Sequence, residues 1–509
     1  RRFASLSLLG VLLSGCAVLP ERVEHVPEPA FDRPMDTTLG RLAARAAQAH
    51  PDQSGFVVLD TGRQAFIQRA ALIEAAERSI DAQYYIWNSD ISGRYLARRL
   101  LLAADRGVRV RILLDDINVA GRDPLLATLD RHDRIDIRIF NPSAKRGGPG
   151  KWLAFLGDFQ RLNRRMHNKT FVVDGAFGIV GGRNIGDEYF DLHAQMNFRD
   201  RDVLATGPIV RHMSSNFDAY WNNSWSYPVA RLAPLVADDT VTVERARSQA
   251  DDTTGLIHVP TQSATEAQAL AKQTLSDAAW ARAELVFDAP AEEMEERTDT
   301  PKQTALALRA QILQSRSDIL IESAYLILGD VQLNALAEIH NRGVRVAAIT
   351  NSLASNDLTT NHAGYARRRP AMLARGMALY ELRPDAAACT LWIDAPDYCA
   401  SGQISLHAKS AVFDRTTLYI GSLNFNLRSI YLNGETALII HSPVLAERIA
   451  RDMEIAMAPE NSWRLTIQDD GDLRWSSRAG EDAAHEPATG WWKRFKSGFS
   501  ALFPLEKYL

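Results

Sequence analysis

The chain has few of the features that mark several classes of protein. Its 509 residues include only three cysteines, so no disulfide framework holds the fold together. The formal net charge is -4, and this weak acidic balance argues against a dedicated nucleic-acid binder, which needs a basic surface. No segment is apolar for long enough to cross a bilayer as a helix. The length fits two or three globular domains.

The N-terminal residues have the pattern of an export signal. Two arginines precede a short apolar run, which ends in Leu13-Ser14-Gly15-Cys16. This ending resembles the lipobox of bacterial lipoproteins, in which the cysteine becomes the lipid-bearing first residue. We therefore expect residues 1–15 to be a signal peptide and Cys16 to be lipidated, with Ala17 indicating a periplasm-facing outer membrane anchor. The alternative is a generic signal peptide with a chance cysteine.

The other two cysteines, Cys389 and Cys399, lie close together in the sequence. An exported protein meets an oxidising compartment, where disulfides form and persist. A disulfide between these two residues is therefore one interpretation. Two free cysteines in a loop are the other.

An internal repeat organises most of the chain. Arg106-Gly107-Val108-Arg109-Val110 recurs as Arg342-Gly343-Val344-Arg345-Val346, and each copy precedes an apolar, strand-like run. Around each copy the pattern is helix, strand, helix, glycine stop and strand. This order is typical of a layered α/β domain. The sequence therefore predicts two diverged lobes of one α/β unit.

Composition suggests where the lobes begin and end. We expect a tether over 16–50, a first lobe over 51–235, an insert and junction over 236–303, a second lobe over 304–470, a linker over 471–490 and a membrane-contacting tail over 491–509. In the tail, Trp491, Trp492, Phe495 and Phe499 fall on one helical face opposite basic residues. This pattern is typical of a helix lying among lipid headgroups. The alternative is a terminal helix docked on its own protein.

Each copy of the repeat also carries one set of polar residues. Every member of the second set lies 240 residues after its counterpart. The first set is His167, Lys169, Asp174, Gly182 and Asn184, and the second is His407, Lys409, Asp414, Ser422 and Asn424. A lone histidine is usually structural, but two matched sets at one offset indicate catalysis.

The residue types fit chemistry on a phosphodiester. Alternate residues of a strand share a face, so each histidine and its lysine point the same way. One imidazole can attack phosphorus while the other transfers the proton, and the lysines stabilise the added negative charge. Asn184 and Asn424 add amide donors, and this scheme requires neither metal nor cofactor. For Asp174 and Asp414, which close strands, we expect a structural role.

The duplicated pattern resembles the phospholipase D superfamily. Four segments are similar, more closely, to bacterial cardiolipin synthases, as is the aromatic and basic tail: 81–87, 162–169, 181–187 and 362–367. The resemblance implies two α/β/α sandwich lobes related by a pseudo-twofold, with one active site at their interface. It also implies that His167 is the nucleophile and His407 the acid and base. Each histidine would be oriented by an acid placed after the motif, namely Glu435 and Asp200, the latter with Asp202 two residues on.

The same resemblance implies a function. We expect a phosphatidyltransferase that makes cardiolipin from phosphatidylglycerol and a second phospholipid, either phosphatidylglycerol or phosphatidylethanolamine. A phospholipase D that releases phosphatidic acid is the main alternative, and a nuclease is a weaker one. We expect phospholipids and the membrane surface as partners, with no nucleic acid and no obligatory protein partner. Candidate substrate contacts are Arg164, Arg165, Tyr85 and Tyr325.

Overall fold

The computed structural model describes residues 19–119, 123–146, 158–232, 263–291, 299–478, 481–500 and 508. The proposed signal peptide and Cys16 lie outside the described residues, as do 233–262 and the end of the tail over 501–507. Within the described part of the chain, no helix is both long enough and apolar enough to span a membrane.

The first lobe is a mixed sheet between two layers of helices. Its strands are β1 (Ser54–Leu59), β2 (Ser79–Tyr84), β3 (Arg109–Asp115), β4 (Ile135–Phe140), β5 (Thr170–Val173), β6 (Phe177–Gly181), β7 (Met196–Arg199), β8 (Asp202–Thr206) and β9 (Ser226–Pro228). Its helices are α1 (Thr38–Ala47), α2 (Gly62–Ala75), α3 (Ile91–Asp105), α4 (Asp123–Leu129), α5 (Phe159–Leu162) and α6 (Ile209–Trp221). The strand order is β9-β4-β3-β2-β5-β6-β8-β1, and only β2, β3 and β4 are mutually parallel.

The second lobe repeats this plan. Helix α7 (Ala264–Ser276) precedes this lobe in the sequence but packs on the first lobe, where Ala267 and Ala271 are buried in its core. The helices of the second lobe are α8 (Gln303–Gln314), α9 (Asp330–Asn341), α10 (Thr359–Ala374), α11 (Cys389–Trp392), α12 (Pro396–Cys399), α13 (Leu427–Tyr431), α14 (Pro443–Met457) and α15 (Trp491–Ser500). Its strands are β10 (Ala279–Phe287), β11 (Asp318–Ser323), β12 (Arg345–Asn351), β13 (Met377–Leu382), β14 (Gln403–Leu406), β15 (Lys409–Phe413), β16 (Thr417–Gly421), β17 (Thr436–His441), β18 (Ser462–Ile467), β19 (Leu473–Ser476) and β20 (Asp482–Ala483). Written from the edge that corresponds to β9, its strand order is β18-β13-β12-β11-β15-β16-β17-β10, which equals the order of the first lobe. This match confirms the predicted two-lobed α/β fold.

The repeated Arg-Gly-Val-Arg-Val segments end a helix and begin a strand in each lobe. Gly107 has φ of 96° and Gly343 has φ of 80°, in the left-handed region that side chains disfavour. Each glycine therefore stops its helix two residues before the next strand begins. Val110 and Val346 follow in β3 and β12, where both are buried.

Strand β10 joins the two lobes. It pairs antiparallel with β1 of the first lobe and with β17 of the second. The segment 236–303, predicted to be an insert and junction, therefore contributes a central strand that pairs with both lobes. A buried apolar cluster containing Phe56, Val180, Val412 and Leu438 spans both lobes beneath this strand. This shared core fixes the relative position of the lobes, and with it any site between them.

The segment 471–490, interpreted as a linker, is instead part of the second lobe. Strands β19 and β20 extend its sheet. Trp475 on β19 is buried, and its indole nitrogen donates to Glu381 at 2.8 Å. Burial of this large ring holds the segment on the lobe, which composition alone did not indicate.

Helix α15 docks on the second lobe and leaves its aromatic face exposed. The ammonium of Lys493 donates to the carbonyl oxygens of Ala354 and Asn356, at 3.1 and 3.0 Å. The side chains of Trp491, Trp492, Phe495 and Phe499 remain more than half exposed. The helix thus combines contact with its own protein and an uncovered aromatic surface.

A disulfide joins Cys389 to Cys399 and links α11 to α12. Trp392 of α11 is buried and lies 4.1 Å from the guanidinium of Arg199, at the end of β7. The disulfide-bonded segment therefore packs beside one of the strands that join the two lobes.

Candidate active site

Two short parallel pairings bring the lobes together at the site. Strand β14 pairs with β7, aligning Leu406 with Arg199. Met166 forms the equivalent parallel bridge with Gly434. The residues that follow these positions are the two motif histidines on one side and the two predicted acids on the other. Parallel register therefore places each histidine beside an acid from the opposite lobe.

The histidine–acid pairs cross between the lobes. Nδ1 of His167 lies 2.7 Å from Oε2 of Glu435, and Nδ1 of His407 lies 2.6 Å from Oδ2 of Asp200. A carboxylate only accepts hydrogen bonds, so each Nδ1 carries the proton and each Nε2 presents its lone pair. Asp202, the neighbouring acid, forms an ion pair with Arg69 at 2.8 Å instead.

The two acids are held in different ways. Glu435 accepts a hydrogen bond from the Ser422 hydroxyl at 2.5 Å. Asp200 accepts from the backbone nitrogen of Arg201 at 2.7 Å. It lies so close to Gly182 that a Cβ there would be 2.1 Å from its Oδ1. Glycine is therefore required beside Asp200, whereas serine supports the acid at the equivalent position in the second lobe.

The two lysines are buried between these pairs. Lys169 donates to the carbonyl oxygen of His167 at 2.7 Å, and Lys409 donates to that of His407. Burial lowers the pKa of Lys169 to about 7, although Glu435 opposes the shift. Burial likewise lowers the pKa of Lys409 to about 8 against the influence of Asp200. Both ammonium groups are therefore poorly solvated and poised to bind an anion.

Both imidazoles are held neutral. Burial lowers the pKa of His167 to about 4, and Lys409 of the other lobe contributes to this shift. Burial also lowers the pKa of His407 to about 3, with a contribution from Lys169. Each lysine thus acts on the histidine of the opposite lobe, so the four side chains share one site. Burial opposes ionisation of Asp200, but His407 and Lys409 bring the pKa of its carboxyl down to about 2.

The two motif asparagines differ in their surroundings. Asn184 accepts from the backbone nitrogen of Ile86 at 3.2 Å and donates to the Tyr189 hydroxyl at 2.9 Å. Asn424 is buried, but its amide oxygen makes no hydrogen bond to any residue that the structure describes. Asn184 therefore braces the first lobe, while the amide of Asn424 has capacity left for a ligand.

Asp174 and Asp414 lie away from the imidazoles and cap backbone. Asp174 accepts from three successive backbone nitrogens, of residues 77, 78 and 79, at 2.8–2.9 Å. Asp414 does the same for residues 316, 317 and 318. Each carboxylate thereby fixes the turn that leads into β2 or β11, the strand beside its motif.

The four candidate substrate contacts differ in how close they lie to the motif histidines. Tyr85 packs edge-on against His167, with ring centres 4.8 Å apart, and the hydroxyl of Tyr325 bonds the carboxylate of Asp357 at 2.9 Å. Arg164 is buried. Arg165 is also buried, and its Nε and Nη1 donate to Leu162 O and to Asp115, so these two nitrogens are used within the first lobe. Its charge acts on Tyr85 beside His167.

Two aromatic residues at the site, Tyr189 and Phe198, were not predicted from the sequence. The rings of Tyr189 and Phe198 lie 5.1 Å from that of His407. They come from the loop and strand before Asp200, outside the repeated motif. Aromatic residues in such segments usually pack in the core, so only the fold reveals their position.

Comparison with known proteins decides the family. The family described as "Cardiolipin synthase, PLD-like domain" matches residues 70–221 and 308–456, more than half of the chain. Cardiolipin synthase C of Escherichia coli strain K12 is 38% identical over 464 residues, covering 90% of this chain and 96% of that protein. This chain belongs to the cardiolipin synthase family of phospholipase D-type phosphatidyltransferases.

A further relative supports this placement, and a solved structure shares the fold. A cardiolipin synthase of Geobacillus kaustophilus is 26% identical, covering 87% of this chain and 73% of that protein. The crystal structure of phosphatidylserine synthase from Haemophilus influenzae Rd KW20 superposes with a TM-score of 0.57 at 13% identity, covering 92% of this chain and all of that one. The latter likeness concerns the fold.

Proposed function

We propose that this family member makes cardiolipin by moving a phosphatidyl group to a hydroxyl of phosphatidylglycerol. The donor is a second phosphatidylglycerol or a phosphatidylethanolamine. One observation carries the proposal: two neutral imidazoles are each held through Nδ1 by a carboxylate of the opposite lobe, with two buried ammonium groups between them. This arrangement suits two successive displacements at one phosphorus.

In the first step, Nε2 of His167 attacks the donor phosphorus. A P–N bond forms, the P–O bond to the headgroup breaks, and the departing oxygen takes a proton from His407. Before substrate binds, His407 is neutral because burial and the lysine charges oppose its protonation. The negative charge of a bound phosphodiester offsets the lysines, so substrate itself favours the protonated acid.

In the second step, His407 accepts the proton of the incoming hydroxyl. The hydroxyl oxygen attacks phosphorus, the P–N bond breaks, and His167 is regenerated. One phosphodiester replaces another, so the exchange needs no external energy source. Lys169 and Lys409 stabilise the negative charge on the non-bridging oxygens in both steps.

Water could replace the acceptor in the second step, and the product would then be phosphatidic acid. The acceptor therefore separates the synthase from a phospholipase D. Purified full-length protein in vesicles of phosphatidylglycerol, with or without phosphatidylethanolamine, tests the choice. We expect new cardiolipin that is lost in His167→Ala. Phosphatidic acid as the sole lipid product would instead establish the hydrolase.

We further propose that a lipid at Cys16 anchors the enzyme in the outer membrane, facing the periplasm. The lipobox-like residues 13–16 and the exposed aromatic face of α15 support this arrangement. Mass spectrometry of the protein from membrane fractions should find acyl chains on Cys16, with loss of membrane attachment in Cys16→Ala. An unmodified Cys16 in the mature protein would contradict the proposal.

A further inference from the structure

The second lobe carries a carboxylate beside the site that the proposed mechanism does not use. Asp357 lies in the loop between β12 and α10, and both its oxygens accept from the Tyr325 hydroxyl, at 3.0 and 2.9 Å. Its side chain is solvent accessible, although surrounding protein raises the pKa of the carboxyl by desolvation. A group that is crowded by protein and still reached by solvent lines a cleft.

This cleft lies on the His407 side of the active site. Tyr325 follows Ala324, whose backbone nitrogen donates to the carbonyl oxygen of Ala408 at 3.2 Å. The charge of Asp357 acts on Lys409 and also on Tyr189, the ring that contacts His407. A lipid headgroup that exchanges its proton with His407 would therefore lie next to Asp357.

The loop that carries Asp357 is fixed at both ends. The amide of Asn351 bonds both the carbonyl oxygen and the backbone nitrogen of Leu406, at 2.7 and 2.8 Å, just before His407. Lys493 of α15 bonds the carbonyl oxygens of Ala354 and Asn356. The carboxylate is thus held ready for a ligand rather than carried on a free loop.

The equivalent position in the first lobe has different surroundings. Tyr85, the counterpart of Tyr325, packs edge-on against His167, and the largest charge acting on it is the cation Arg428, with smaller contributions from Asp115, Arg165 and Glu435. A carboxylate bonded to the tyrosine therefore distinguishes the half of the site near His407. A carboxylate attracts hydrogen-bond donors and repels phosphate, so it suits the headgroup and not the phosphodiester.

We propose that Asp357, held by Tyr325, binds the hydrogen-bond donors of the phospholipid headgroup that faces His407 and thereby selects that headgroup. The donors are the ammonium of ethanolamine or the hydroxyls of glycerol, which share this chemistry. The inference rests on the proposed function, because it assigns a specificity-determining residue to the same two-step exchange.

The test compares headgroup release by the full chain from vesicles that contain phosphatidylethanolamine or phosphatidylglycerol as donor. In Asp357→Asn we expect the ratio of ethanolamine to glycerol release to change about ten-fold, since one charge-assisted hydrogen bond is lost. A fall mainly in ethanolamine release identifies the ammonium as the ligand. A fall mainly in glycerol release identifies the hydroxyls. An equal fall for both donors, or no change, would overturn the proposal.

Two further variants show whether a change in the release ratio comes from Asp357 at the site. Tyr325→Phe keeps the ring but frees Asp357, and it should shift the same ratio in the same direction by a smaller factor. Asp330→Asn removes an exposed carboxylate of α9 that pairs with Arg368 and should leave the ratio unchanged. If wild-type protein releases headgroups without forming cardiolipin, the proposed synthase function fails, yet the release ratio still tests Asp357.

Discussion

The two lobes share one fold and one motif but differ around the motif. In the second lobe, the Ser422 hydroxyl supports Glu435; in the first, Gly182 leaves room for the shorter Asp200. The tyrosine beside each motif bonds the carboxylate of Asp357 in the second lobe and packs against His167 in the first. The repeat supplies two matched imidazoles in different surroundings, and the proposed mechanism gives them different roles, with His167 as nucleophile and His407 as acid and base.

The largest expected effect separates these two roles. His167→Ala and His407→Ala should each lower cardiolipin formation by about 10⁴-fold, the upper range for one proton-transfer group. A donor with a p-nitrophenol leaving group needs no protonation, so His407→Ala should still give a burst of nitrophenol. His167→Ala should give none. The reverse pattern would exchange the roles of the two lobes.

The next largest effect is expected for the two acids that bond the histidine of the opposite lobe. Glu435→Gln and Asp200→Asn keep the shape of the side chain but permit the wrong tautomer of the bonded imidazole. We expect each to lower kcat by about 10²–10⁴-fold with protein stability little changed. Steady-state kinetics and thermal melting would check both. Asp202→Asn, which breaks the ion pair with Arg69, should instead lower stability, and an equal effect of Asp202→Asn and Asp200→Asn on kcat would argue against the crossed arrangement.

A matched pair of alanine substitutions tests the difference between the acids. Gly182→Ala puts a Cβ against Asp200 and should displace it from His407, with a loss of about 100-fold in kcat. Ser422→Ala removes the hydrogen bond to Glu435 and the one that the hydroxyl accepts from the backbone nitrogen of Thr436, without adding bulk, so we expect a loss of about ten-fold. Equal losses would show that the two lobes hold their acids in the same way.

The pH profile should report the site as a whole. Burial lowers the pKa of Lys169 to about 7 and that of Lys409 to about 8, so the charged lysines are lost as pH rises through that range. The pKa of His167 is lowered to about 4, so the neutral nucleophile is lost only as pH falls towards 4. We therefore expect kcat/KM to fall as pH rises above about 7, where the lysine charges are lost, and to fall again as pH approaches 4, where His167 is protonated. A flat profile up to pH 9 would contradict the assigned role of the lysines.

The smallest effect is expected for the disulfide between Cys389 and Cys399. It has no counterpart in the first lobe, because residues 51–235 contain no cysteine. Closing this short loop should stabilise the second lobe by at most about 3 kcal/mol. Paired Cys389→Ser and Cys399→Ser substitutions should therefore lower Tm by a few degrees while kcat stays within about two-fold. A large loss of activity without loss of stability would place the segment in the active site.

The sequence is enough to predict the lobes and the paired motif because both depend on local pattern. Strand alternation, glycine stops and a constant offset of 240 residues are all visible along the chain. The family resemblance also points to Glu435 and Asp200. It does not indicate that each acid serves the histidine of the other lobe, because that pairing depends on parallel register between strands far apart in sequence.

Other features needed the fold for similar reasons. Strand β10 alternates like any strand, and only its two neighbours make it the junction. The segment around Trp475 has a polar composition, yet one buried ring holds it on the sheet. Asp357 belongs to no motif, and it gains interest only because Tyr325 and Lys409 lie beside it in space.

Detection of the covalent intermediate would show which histidine attacks phosphorus. Wild-type and His407→Ala proteins would be mixed with the donor lipid that carries a p-nitrophenol leaving group, quenched by rapid denaturation without acid, and digested for mass spectrometry. We expect a phosphatidyl group on His167, more abundant in His407→Ala because the first step needs no acid with this donor and the second step is slowed. A phosphatidyl group on His407, or turnover with no adduct on either histidine, would contradict this expectation.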